Sequence, residues 1–408
     1  MPTTLGTGHP LPETTTRTTA TQLFPSSHLP LKEYVTLEEV LDAYYACRKH
    51  KRRTSSALKF ELTYERGCYE LWQELNNKTY EIGKSIAFCV TYPKLREVFA
   101  ADFRDRIVHH LIINKFSDLL EAEMLDSTFA CRKGKGTQYG VEYLQERMME
   151  VGGDGWYARC DIQGFFMSIN REILLREIER ILRKNNVKDI DWWLWLIEKV
   201  VKNRPEQNCE RHGDVSLWDK LPKNKSLFHS NGIGLPIGNL TSQVFANVYM
   251  SMFDRWMKER LGEEGMMCRY VDDFIILHSK KKSVIEAAMA SKIWLRENLK
   301  LTVHPKKKCI QQICKGVRFT GVYARLNCLL PSHRLIEGTK RLIESSPNIP
   351  AEKVVGRMNS RFGLMVHYKS YNLRRRMWRE LSSKNKGKYL FINNKKIKQR
   401  RVNYETIC

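Results

Sequence analysis

Tyr270-Val271-Asp272-Asp273 sets two neighbouring carboxylates between apolar flanks, Met266-Met267-Cys268-Arg269 before and Phe274-Ile275-Ile276-Leu277 after. Successive side chains of a strand point to opposite faces, so Asp272 and Asp273 serve one site only where the chain turns. The pattern predicts a hairpin with the acids at its tip, because the short, largely β-branched run that follows reads as a strand of a sheet core. On its own, an acidic pair in a turn is ordinary solvated surface. Far upstream, Trp156-Tyr157-Ala158-Arg159-Cys160-Asp161-Ile162 reads as a second strand ending in a carboxylate, followed by Gln163-Gly164-Phe165-Phe166 and a new helix. Two-metal chemistry on nucleotides needs carboxylates from separate strands. They hold divalent ions about 3.5–4 Å apart, one activating an attacking hydroxyl and one holding a triphosphate.

The elements that must position these acids belong to a chain of 408 residues, too long for one small core, so two or three subdomains are expected. Sixty-nine Lys and Arg against forty-five Asp and Glu give a formal net charge of +24, which implies a polyanionic partner, most commonly nucleic acid. No apolar run is long enough to cross a bilayer. Trp192-Trp193-Leu194-Trp195-Leu196-Ile197 is short and soon meets Glu198 and Lys199, so no membrane partner is expected. With eleven scattered cysteines and no signal peptide in view, reduced thiols and a cytoplasmic location are expected. Cys309 with Cys314 and Cys209 with His212 lack a second pair at zinc-binding spacing. Gly83-Lys84-Ser85 lacks the earlier glycine of a Walker loop, its place being taken by Lys78.

Residues 1 to 30, rich in Thr, Pro and Ser, read as a flexible arm. Thr36-Leu37-Glu38-Glu39 resembles a helix start. Arg48 to Arg53 is a basic cluster suited to a solvated helix end or to phosphate contact. Phe88 to Val98 reads extended with Pro93 as punctuation, and Phe103 to Ile112 reads helical; the adjacent His109 and His110 are given packing or hydrogen-bonding roles. Cys131-Arg132-Lys133-Gly134-Lys135-Gly136-Thr137 reads as a basic loop that offers amides and cations to phosphates. Residues 203–231 read as a loop or insertion. Gly234 to Gln243 then feeds a helix with Phe245, Val248, Tyr249, Met252 and Trp256 on one face. Leu299 to Val303 reads as a strand, Gly316 to Tyr323 as a strand pair, and the chain from about Leu329 as helical and increasingly basic.

In this order the parts resemble a reverse transcriptase over most of residues 36 to 380. The resemblance implies an α+β right-hand polymerase fold: fingers over residues 31–153, a palm with a split βαβ antiparallel sheet over 154–325 carrying an insertion at about 185–232, and a basic helical thumb and tail over 326–408. Asp161, Asp272 and Asp273 match the catalytic aspartates. With the Ile162 carbonyl they would hold two Mg²⁺ ions, for which Mn²⁺ can substitute. Phe166, five residues after Asp161, falls at the family's steric gate against a ribose 2′-hydroxyl. Lys94 and Arg96 match the fingers motif that grips the triphosphate. Lys307 matches a later lysine motif, with Lys306 and Lys308 as alternatives, and Phe319-Thr320-Gly321 resembles the primer grip. Many family members carry Gln-Gly-x-x-x-Ser-Pro where this chain has Ile237-Gly238-Asn239-Leu240-Thr241-Ser242-Gln243.

That variant is similar to the reverse transcriptases of diversity-generating retroelements, as are Asp105 to His110, Ala130 to Thr137 and Leu221 to Phe228. The resemblance then implies adenine-directed copying errors, with template RNA, the RNA–cDNA duplex and deoxynucleoside triphosphates as partners. It also implies a small basic oligomeric accessory protein. Ile237, Gly238, Ser242 and Gln243 form the motif tied to fidelity, and Ile237 and Gly238 join the nucleotide-binding set with Ile162 and Phe166. A retron or abortive-infection polymerase, a group II intron maturase and a non-catalytic RNA-binding protein are the alternatives.

Overall fold

Thr36 starts its helix with a capping box. Its hydroxyl accepts from the Glu39 amide at 3.1 Å, while the Glu39 carboxylate accepts from the Thr36 amide at 3.0 Å. The computed structural model describes residues 32–49, 54–92, 94–305, 307–385, 387–393 and 395–399. The arm over 1–30, His50 to Arg53, Pro93, Lys306 and the basic pair Arg400-Arg401 lie outside the described residues.

The chain divides into two units, residues up to Gly83 with Asp102–Asn114, and the remainder. The first holds α1 (Leu37–Arg48), α2 (Ser55–Glu61), α3 (Tyr64–Asn76) and the first half of α4 (Phe103–Ala122), around buried Val40, Tyr44, Leu71, Leu75 and Ile107. Asp105 is buried there, accepting from the Tyr80 hydroxyl at 2.7 Å and the Gly83 amide at 3.0 Å. Burial pushes its carboxyl up to about 6.

The second unit begins with an antiparallel hairpin of β1 (Ser85–Val90) and β2 (Arg96–Ala100). After α5 (Thr137–Val151) comes β3 (Trp156–Asp161), then α6 (Phe165–Ser168), α7 (Arg171–Lys184), α8 (Ile190–Lys202) and β4 (Cys209–His212). Next are α9 (Leu240–Leu261), β5 (Gly265–Tyr270), β6 (Asp273–His278), α10 (Lys281–Leu299) and β7 (Cys309–Gln312). The central sheet has the order β5-β6-β3-β7 and is antiparallel throughout. Both of its faces are covered, which is why β6 reads as an unbroken apolar run. Ile275 and Leu277 pack with Val141, Leu144 and Met148 of α5, while Phe274 meets Phe253 of α9 edge-on. A three-stranded meander follows, of β8 (Val317–Phe319), β9 (Val322–Arg325) and β10 (Cys328–Pro331). It leads into α11 (His333–Ser345), α12 (Ala351–Met365), α13 (Tyr371–Lys384) and the hairpin β11 (Tyr389–Ile392)–β12 (Lys396–Gln399). The α+β expectation matches this architecture.

Several local expectations are corrected. Leu299 to Val303 is not a strand, since α10 runs to Leu299, Lys300 takes a left-handed conformation, and only Val303 bridges to Ile162. The chain after Leu329 is not all helical, because β10 and the β11–β12 hairpin intervene. The stretch 203–231 is not merely a loop: β4 pairs in parallel with β1, and Trp218 and Leu227 are buried. In the basic loop, Arg132 turns inward to Glu121 and Thr128, and Lys135 bonds Asp126, so two of its cations serve the protein's own carboxylates and carbonyls.

The raised carboxyl of Asp105 has a stability consequence. The folded chain keeps a proton that the unfolded chain releases, so this contribution is complete below about pH 4 and is lost as pH rises through about 6. Asp105→Asn should therefore gain on the wild type by roughly 2–3 kcal/mol between pH 4 and pH 7 in paired denaturant titrations. A difference that does not change with pH would contradict the assignment.

Candidate active site

The register of the central sheet sets Asp161, the last residue of β3, directly opposite Asp273, the first residue of β6. Asp272 lies in the two-residue turn between β5 and β6, where Val271 adopts φ 58° and lets the chain reverse. The Ile162 amide donates to the Asp272 carbonyl at 3.1 Å, and the Asp161 carbonyl accepts from the His304 amide at 2.7 Å. All three acids therefore stand at one end of the sheet, lining a cavity of about 800 Å³.

Like charges placed opposite one another repel, and each acid is compensated differently. Asp273 accepts from the Arg159 guanidinium at 3.1 and 3.2 Å. Asp161 is bonded by the Lys307 ammonium. Among the described residues no arginine or lysine bonds the Asp272 carboxylate; burial, then the charge of Asp161, pushes its carboxyl up to about 6. Burial also raises the Asp273 carboxyl, with Arg159 acting the other way. Among the described residues no group of three or more acidic, histidine or cysteine side chains is arranged to hold a metal ion.

The cavity wall is basic and partly aromatic. Lys94, Arg96, Lys225, Lys307 and Arg334 line it with Phe166 and Ile237. Burial, then the charge of Lys307, holds the Lys94 ammonium below its usual range. Phe166 is fixed at its backbone, its carbonyl accepting from Leu235 at 2.8 Å, while Phe165 beside it is buried. The Ile237 carbonyl accepts from the Phe99 amide of β2 at 2.8 Å, and its side chain packs on a core of Ala87, Phe99, Met167, Trp218 and Leu227. Gly238 follows at φ 125°, and a Cβ there would come within 2.6 Å of the Phe99 carbonyl oxygen. Ser242 and Gln243 do not line the cavity: Ser242 is buried in α9, and exposed Gln243 accepts from the Cys131 thiol at 3.4 Å.

Sequence reading passed over the group that braces the turn. Arg269 of β5 and Asp254 of α9 are both fully buried and form a two-pronged pair at 2.8 and 2.6 Å. The remaining Arg269 nitrogen donates to the Val271 carbonyl at 3.0 Å and to Asn247 at 3.3 Å. An arginine between apolar residues of a core strand was the available signal, because a buried guanidinium requires an acid. Asp254→Ala would leave that charge unpaired and should lower stability by roughly 3–5 kcal/mol in chemical denaturation. A loss well below 1 kcal/mol would refute the bracing role.

Residues 92–324 match the family model described as reverse transcriptase (RNA-dependent DNA polymerase). The chain is similar to Protein YkfC of Escherichia coli (strain K12), 21% identical over 295 residues that cover 64% of this chain and 68% of that protein. It is also similar to the putative COX1/OXI3 intron 1 protein of Saccharomyces cerevisiae, 21% identical over 165 residues, 40% of this chain and 17% of that protein. Of solved structures, apo telomerase from Candida tropicalis truncated from its C-terminal domain overlaps 62% of this chain and 55% of its own, at TM-score 0.44 and 10% identity. Telomerase from Candida albicans with the TWJ fragment of telomeric RNA overlaps 74% and 55%, at TM-score 0.43 and 11% identity. The chain thus spans little more than half of these solved chains and a small part of the yeast protein.

Proposed function

The chain belongs to the reverse transcriptase family of RNA-directed DNA polymerases, and we propose that it is the error-prone enzyme of a diversity-generating retroelement, copying template RNA into cDNA by two-metal nucleotidyl transfer. The observation that carries the chemistry is the meeting of Asp161, Asp272 and Asp273 at one end of the sheet, facing a cation-lined cavity.

The donor set fits a hard divalent cation. Asp272 senses the charge of Asp161, so the two carboxylates face a common space, and the Ile162 carbonyl lies next along the chain. Asp161 and Asp272 would hold Mg²⁺, or Mn²⁺ in its place, with Asp273 in support. Bound there, the metal would activate the primer 3′-hydroxyl and offset charge on the departing pyrophosphate. The 3′-hydroxyl attacks the α-phosphate, and Lys94, Arg96 and Lys307 hold the remaining phosphates. Phe166 lines the same cavity, and as the steric gate its ring would collide with a ribose 2′-hydroxyl, favouring deoxynucleotides. Template RNA and the growing RNA–cDNA duplex fit the strongly basic composition. The small basic accessory protein remains part of this reading. Among the described residues no helix is long and apolar enough to cross a membrane.

Ile237 supports the subtype. A glutamine there could hydrogen-bond the incoming sugar and order the base-pairing pocket, whereas isoleucine offers shape alone. Losing one hydrogen bond removes about 1 kcal/mol of discrimination, a several-fold relaxation.

Asp272→Asn should abolish primer extension on RNA while leaving circular dichroism and the melting transition intact; retained synthesis would refute the assignment. Sequencing of cDNA made by the wild type should find errors concentrated at template adenines, and Ile237→Gln should reduce them several-fold. An unchanged error rate in that variant would remove Ile237 from the fidelity mechanism.

A further inference from the structure

Glu97 is a carboxylate with no solvent exposure, and nothing in the proposed chemistry uses it. It follows Arg96 on β2, and its oxygens accept three hydrogen bonds from a single downstream segment: Trp218 Nε1 at 2.8 Å, the Ser226 hydroxyl at 2.8 Å and the Leu227 amide at 2.7 Å. Burying a carboxylate is costly unless its oxygens find donors, so these bonds fasten the segment to β2.

The fastened segment includes the 3-10 turn Lys223–Lys225, and Pro222, Asn224 and Lys225 reach the cavity that holds Asp161 and Asp272. On its other side the Asn224 carbonyl presses on Gly164, where an added Cβ would come within 2.6 Å of that oxygen. Lys225 is therefore fixed from two directions, by β2 and by the bend that follows Asp161. Among the described residues its ammonium pairs with no carboxylate. Lys94 and Lys307 line the same cavity. Ammonium groups gathered on one small space call for a compact polyanion, whereas the phosphates of a nucleic-acid strand are strung out along a groove.

We propose that Lys225 is a phosphate ligand for the incoming nucleoside triphosphate, and that Glu97 is the positioning residue that holds its segment at the cavity. The inference rests on the polymerase reading above and adds to it a phosphate contact supplied by the stretch between α8 and α9.

The test is single-nucleotide incorporation on poly(rA) primed with oligo(dT), varying dTTP. Lys225→Ala should raise the KM for dTTP about tenfold, as expected for a lost charged hydrogen bond, with a much smaller change in kcat. The KM for poly(rA) should stay constant, and Lys225→Arg should recover most of the loss. Glu97→Gln turns an amide group toward donors and should raise the same KM, and Trp218→Phe, which removes one of the three bonds, should raise it less. An unchanged dTTP KM in Lys225→Ala overturns the proposal, as does a rise in the poly(rA) KM instead, the signature of a backbone contact. A Glu97→Gln variant that loses thermal stability and kcat at constant dTTP KM overturns the positioning role. Wild-type protein that incorporates nothing would fail the polymerase reading. The Lys225 assignment is then decided by equilibrium dialysis of dTTP, where binding undiminished in Lys225→Ala overturns it.

Discussion

The pair between Asp254 and Arg269 is the constraint on which the acidic turn depends. Both side chains are withdrawn from water, so each requires the other, and their two-pronged contact ties the middle of α9 to the edge of β5. The guanidinium spends its remaining capacity on the carbonyl of Val271, the residue whose left-handed conformation reverses the chain. The backbone of Arg269 is held as well, donating to Ser127 and accepting from Phe129. One side chain thus connects a long helix, an outer strand and the tip that presents Asp272. The tip is held by chemistry buried behind it, together with the Ile162 amide on the Asp272 carbonyl.

A second balance lies in the cavity itself. Three carboxylates meet there, and the protein manages their repulsion with Arg159 on one, Lys307 on another and partial burial of the third. Arg159 stands two residues before Asp161 on β3, the same side of the strand, so the sheet alternation that brings Asp161 forward brings its neighbour's counter-charge with it. Lys307 comes from the connection between α10 and β7, and the cavity wall draws further cations from the β1–β2 connection and the segment before α9. The acids stand at one end of the sheet and on its turn, while Lys94, Lys225 and Lys307 reach them from the connections around it.

What could be read from the sequence follows from how local each signal was. The strand before Asp161, the hairpin around Asp272 and the helix beginning at Phe103 are encoded by contiguous apolar runs and turns, and they stand as expected. β4 escaped because Cys-Glu-Arg-His shows no apolar alternation, three of its four side chains being exposed. Leu299 to Val303 misled because β-branched composition was outweighed by the last turn of α10. The β11–β12 hairpin was hidden by lysines that made its short alternation look like more basic helix. At the site, the acids were found because they are consecutive or end a strand. Glu97, Arg159, Asp254 and Arg269 were missed as functional because each acts through a partner distant in sequence. Ser242 and Gln243 share a motif with Ile237 yet face elsewhere, since helix α9 has already begun to rotate its side chains away.

The small sheet β2-β1-β4 has its own lesson. Its outer member β4 is short and carries charged residues facing water, while β2 donates to the Ile237 carbonyl on the side opposite β1. Neither margin is left as an apolar ladder of unpaired amides, the arrangement that invites another chain to add a strand. Trimming residues 209–212 would uncover the outer ladder of β1, so this tetrapeptide closes one margin of the sheet.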